Sequence, residues 1–267
     1  MTVRSWCSVL ALASLLMGLS TASYQAAEPK PSREAPVFGM LRAPSTETVR
    51  AQALDWLKSA GKTDQAAFEA VWNQADRPLL DLVADTFALG NLDAKKILDE
   101  ARDPNGPAPK QVPDLIKDTK LPAFFRANLA LAYAQALTSR RVYPEALESL
   151  QTVKPEQVVD PAAYFFHRAV AEHGQLQRQE ATKSIARLLD DVPESPERYK
   201  MVAALMFLDM QSWKDKDLNA IDREMGVIKD RLGIARGGPE TQRRQKAVVA
   251  RLDEIIKKLE QQKKGGG

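Results

Sequence analysis

The residues able to do chemistry are few and scattered. The chain holds two histidines, His167 and His173. On one helix their six-residue separation is about 600°, which leaves them about 120° apart around the axis. They cannot grip one zinc ion as an i, i+4 pair would. An inverted zinc-protease motif ending at Glu172-His173 would need histidine where Ala169 stands. The sole cysteine is Cys7. Asp190-Asp191 is an adjacent pair, whereas a paired-carboxylate hydrolase needs two acids facing each other across a cleft, so this pair reads as a solvated helix end. Asp103-Pro-Asn-Gly106 lacks the alternating oxygens and distal glutamate of a calcium loop and reads as a turn. No Gly-x-Ser-x-Gly elbow and no Gly-Lys-Ser/Thr phosphate loop occur. The expectation is no catalytic residue, no cofactor and no metal. An unrecognised hydrolase working through scattered carboxylates is the weakest reading, because aromatics to stack a sugar are only 6% of the chain.

The N-terminus bears on the compartment. Arg4 gives a positive start, Trp6 to Leu19 is apolar or small, and Ser20-Thr21-Ala22 offers small residues for a cut. That layout is expected for a signal peptide over 1–22 and an exported chain, periplasmic or extracellular. The apolar run is shorter than the ~20 residues of a membrane span. Cleavage removes Cys7, and with it any disulfide, thiol nucleophile or thiolate ligand. A net charge of +3 implies no steering toward nucleic acid.

Elements that could position a site are helical throughout. Residues 23–44 hold four prolines and read as a flexible lead-in. Next comes an N-terminal unit over 45–102, with Ser45 as a cap, Gly61 as a stop, Thr63 and Asp64 opening a second helix, Pro78 a third ending at Gly90, and a fourth from Leu92 to Arg102. The proline-rich stretch 103–120 reads as a boundary. No segment shows sustained period-two alternation, so the fold class is all-α.

A repeat emerges beyond the boundary, within 121–236. Ala134 and Ala169 are 35 residues apart, as are Ala146 and Ala181, and Leu150 and Ile185. Tyr143 stands three residues before Ala146, and Pro193 ends the second segment. The pattern resembles the tetratricopeptide repeat (TPR), a unit of ~34 residues built from two antiparallel helices with small residues at their crossing. The resemblance covers about 70 residues, two degenerate copies. Arg141 stands where the family often has glycine, Arg168 where it prefers a bulky apolar residue, and a third copy finds no small residue at Lys216. It implies an α-solenoid in which Asn128, Leu131, Gln135 and Thr138 from one copy, with Phe166, Val170 and His173 from the next, face a groove for a protein or peptide partner. Leu131 and Phe166 replace the lysines of the family's carboxylate clamp.

The last segment, 237–267, reads as a basic amphipathic helix with a glycine tail. Its stripe of Val248, Val249, Leu252, Ile255, Ile256 and Leu259 suits a capping helix or a short coiled-coil seam. Two functional expectations result. The first is a non-catalytic scaffold for a protein or peptide partner in the cell envelope. The second is a structural protein that self-associates through this helix.

Overall fold

The computed structural model describes residues 39–62, 64–74 and 76–265. The expected leader, and the lead-in as far as residue 38, lie outside them. The described chain is all-helical, with twelve α-helices, one 3₁₀ turn at Pro155–Gln157 and no strand among the described residues.

The first four helices obey the sequence punctuation. α1 spans Thr46–Ser59 and is capped by Ser45, whose Oγ accepts the Thr48 N–H at 3.3 Å. α2 is Gln65–Trp72, capped by Asp64. α3 is Leu79–Gly90, with Pro78 just before it, and α4 is Leu92–Arg102, capped by Asn91. Gly90 is required by a close approach, since a Cβ there would collide with the Trp56 ring. Trp56 also stacks on Phe125 with ring centroids 4.8 Å apart, and Phe87 meets Phe125 edge-on at 4.9 Å. Each such aromatic contact adds roughly 0.5–1.5 kcal/mol beyond area burial. The N-terminal helices thereby share one apolar core with the helices beyond residue 120.

The proline-rich stretch 103–120 is a pinned connection. Asn105 N–H donates to Asp103 Oδ1 at 2.9 Å, so Asp103–Gly106 is a turn. Val112 and Ile116 are fully buried, the latter on the one-turn helix α5, Asp114–Lys117. Arg140 donates to the carbonyls of Glu100 and Gly106, and Lys117 pairs with Glu148 at 2.6 Å.

Two helical hairpins form the centre. α6 (Ala123–Ser139) pairs with α7 (Tyr143–Gln151), and α8 (Pro161–Gly174) with α9 (Arg178–Asp191). Ala134, Ala146, Ala169 and Ala181 are all fully buried. Ser149 Oγ donates to the Ala130 carbonyl across the first hairpin at 3.1 Å, which holds α6 and α7 close. α8 packs on both α6 and α7, so the hairpins stack.

The hairpin turns repeat as closely as the helices do. Val142 N–H donates to the Leu137 carbonyl at 2.9 Å, and Gln177 N–H to the Glu172 carbonyl at 2.9 Å. Arg141 (φ 59) and Leu176 (φ 61), again 35 residues apart, occupy the left-handed position between the paired helices. This is the double-bonded helix stop that normally selects glycine. Tyr143 lies against Gly174, where any Cβ would strike its ring.

After α9 the pattern half-continues. α10 (Glu197–Gln211) packs on α8 and α9, as α8 packs on α6 and α7. No hairpin partner folds back along it among the described residues. α11 (Leu218–Gly233) instead passes the turns of the two hairpins, with Asp230 paired to Arg141 of the first turn at 3.0 Å and Val227 and Ile234 near Gly174 and Gln175 of the second. Arg236, just past α11, pairs with Glu145 at 2.7 Å. α12 (Pro239–Gly265) returns along α11, held by Arg244–Glu224 at 2.6 Å and by Arg231 Nε donating to Thr241 Oγ1 at 2.8 Å. Its remaining turns are largely exposed. α11 thus meets the turns of the hairpins, and α12 packs chiefly on α11.

Candidate functional site

The seven groove residues expected from sequence do not form one open face. Asn128 and Leu131 are fully buried and Thr138 nearly so. Asn128 works inside the fold, donating to the Phe124 carbonyl at 2.8 Å and accepting the Val159 N–H at 2.7 Å. It thus secures the entry to α8. The physical reason is coverage. α3 and α4 pack on α6 from one side and α8 from another, so the first row faces the protein's own helices. Gln135 alone of that row reaches a shallow depression of about 320 Å³, beside Asp81, Arg102 and Arg140.

The second row is half-buried beneath α10. Phe166 stacks on Tyr199 with ring centroids 4.1 Å apart. Burial and the nearby Asp160 carboxylate push the Tyr199 hydroxyl pKa up. His173 Nε2 is 3.0 Å from Asp209 Oδ2, and the Trp213 indole N–H donates to the same oxygen at 2.9 Å. Val170 is half-buried in the same row.

His167 lies between the first two rows. Its Nδ1 is 2.8 Å from Thr138 Oγ1, and that hydroxyl donates to the Gln135 carbonyl at 2.9 Å. The imidazole therefore donates through Nδ1, leaving Nε2 buried without a partner. Burial, aided by the Arg198 charge, lowers its pKa to about 4. His167 and His173 serve separate contacts. Among the described residues no three His, Cys, Asp or Glu side chains gather as a metal would require. Asp191, expected at a solvated helix end, is instead buried and paired with Arg187 at 2.8 Å.

The open face is one register further along. Adding 35 to Phe166, Val170 and His173 gives Met201, Leu205 and Leu208 on α10. These are 66%, 61% and 63% exposed. Ala204 continues the series of Ala134 and Ala169, and it too is exposed. Met201, Ala204, Leu205 and Leu208 sit at i, i+3, i+4 and i+7, one stripe along the helix. Beside them runs a groove of about 400 Å³ between α9 and α10, lined by Ile185, Ala186, Leu189, Ala204, Phe207 and Leu208. This is where a hairpin partner of α10 would lie. Its signal in the sequence is the unbroken alanine series of the first helices. The missing small residue at Lys216 concerns only the second helix of a hairpin.

A second concavity, about 720 Å³, is bordered by Lys110, Arg140, Arg141, Lys229 and Arg236. Its arginines are already engaged, Arg141 with Asp230, Arg236 with Glu145, and Arg140 with backbone carbonyls. They tie the 103–120 stretch and α11 to the hairpins.

No described helix is long and apolar enough to cross a membrane. No family model matches the chain, and no curated protein or solved structure matches it.

Proposed function

We propose that this chain is an exported, non-catalytic scaffold of the TPR type whose α9/α10 face receives an amphipathic helix from a partner polypeptide. One observation carries this reading. The 35-residue register runs through α6, α8 and α10, yet α10 lacks, among the described residues, the second helix that completes each earlier hairpin. With its Met201 side exposed and no hairpin partner along it among the described residues, α10 leaves an apolar stripe and groove open. Monomeric proteins rarely leave such contiguous apolar surface open without an interaction role. In helix-in-groove binding an amphipathic helix lays its apolar face into an apolar groove, and Ile185, Leu189, Phe207 and Leu208 supply such a lining here. Export rests on the leader-like first 22 residues, and lack of catalysis on the absence of any nucleophile, metal or phosphate motif in the sequence.

The test is a photo-crosslinking residue placed at Leu205 in the envelope fraction. A discrete adduct is expected, lost when Leu208→Glu is added, and no adduct is expected from the same probe at exposed Lys95 on α4. Absence of a Leu205 adduct, or an adduct indifferent to Leu208→Glu, would contradict the reading.

A further inference from the structure

Which helix would the α9/α10 groove take? We infer that it is α12 of a second copy of this chain, a conclusion that rests on reading the groove as a helix-docking face. α12 is a second element with an exposed apolar stripe at helical spacing. Val249, Leu252, Ile256 and Leu259 recur at i, i+3, i+7 and i+10, and each is exposed. Within its own chain α12 packs on α11. Val249 to Ile256 spans about 10 Å at 1.5 Å per residue, the same length as Met201 to Leu208 on α10, so three anchors can lie along that helix.

Charge selects between the two ways α12 could pair. The helix carries eight Lys and Arg against four Asp and Glu, a net charge of +4. The whole chain is +3, so everything outside α12 sums to −1. Two α12 helices side by side would place like charges together, whereas α12 on the body of a second copy does not. The heptad arithmetic agrees. Val249 and Ile256 would occupy a positions, and Leu252 and Leu259 d positions, which fills two heptads. The neighbouring core positions hold Gln242, Gln245 and Lys263, so an α12–α12 seam would have four apolar positions per chain. The groove offers a wider apolar lining, and Asp190 stands at its edge to meet the cationic flank. Because groove and stripe are different patches, a closed dimer exchanges both helices across a two-fold axis.

Light scattering on the mature chain reads the result. A dimer is expected, and either Leu208→Glu or Ile256→Glu should make it monomeric. Both side chains are exposed, so helix content by circular dichroism should hold. Mixing the two monomeric variants should restore an associated species, since one intact groove meets one intact stripe, at least tenfold weaker than the parent. A dimer that survives Leu208→Glu, with no recovery on mixing, would identify an α12–α12 seam and overturn the inference. So would a parent chain that is monomeric at every concentration. A fluorescent peptide of residues 239–264 and an unrelated amphipathic peptide, each titrated onto the Ile256→Glu chain, separate the two levels. Binding of the unrelated helix alone, abolished by Leu208→Glu, would leave the docking face standing and reject only α12 as its occupant. Binding of neither would reject the docking face as well.

Discussion

α6 and α10 carry the same row of positions and meet opposite surroundings. Leu131 and Met201 are related by two repeat steps, yet Leu131 is fully buried and Met201 is 66% exposed. Along α8, between them, Phe166 is half-buried under Tyr199. Coverage thus falls along the stack. α6 packs with α3, α4 and α8, α8 packs with α6 and α10, and the Met201–Leu208 stripe of α10 is exposed. The contrast teaches that a face of a repeat helix takes its role from the next helix in the stack. The same apolar spacing is core at one end and available surface at the other.

The largest effect is expected from placing one charge at each end of the stack. Leu131→Glu should unfold the protein or cost more than about 4 kcal/mol, because it buries an unpaired carboxylate. Met201→Glu should stay within about 0.5 kcal/mol of the parent by urea denaturation. Equal losses would show that the two rows do not differ in coverage.

The α6–α8 boundary gives the next effect, read as pH dependence. His167 has a folded-state pKa of about 4 against an unfolded value near 6.5. The folded state therefore binds fewer protons between those values, and stability rises with pH across that window. Stability should be full above pH 6.5 and fall by on the order of 3 kcal/mol as pH drops to 4. His167→Gln should remove this slope, as measured by urea midpoints at a series of pH values.

Smaller effects probe the turns that set the stacking. Gly174→Ala should cost about 2 kcal/mol through its collision with Tyr143, with part of the loss recovered when Tyr143→Ala is added. Leu176→Gly should raise stability by up to about 1 kcal/mol, because it relieves a left-handed backbone (φ 61) in a bulky residue. A loss from Leu176→Gly would mean that its side chain contributes more than its backbone costs.

Local signals were legible where chemistry is local. Ser45, Asp64 and Gly61 punctuate helices as their side chains or lack of one dictate. Leu92–Arg102 is a helix with the expected ends. The alanine spacing marked two hairpins because small residues at a crossing leave a periodic trace. Coverage left no such trace. Period places Leu131 and Gln135 on one face, but only the packing of α3, α4 and α8 shows that this face is closed. Arg141 gave no sign in the sequence of a left-handed turn, yet its backbone takes one, as Leu176 does 35 residues on. The α10 face left little trace in the sequence, since the 35-residue alanine spacing reaches Ala204 but no small residue follows at Lys216.

On the proposed reading, the α10 row is a surface for docking. With Cys7 in the expected leader, Leu205→Cys would give the mature chain one labelling site. An environment-sensitive fluorophore there should read water in the dilute chain and shift to an apolar, protected signal as concentration rises or a partner is added. Leu208→Glu should abolish that shift. A label that remains water-like under every condition, or that shifts equally with Leu208→Glu present, would contradict the account.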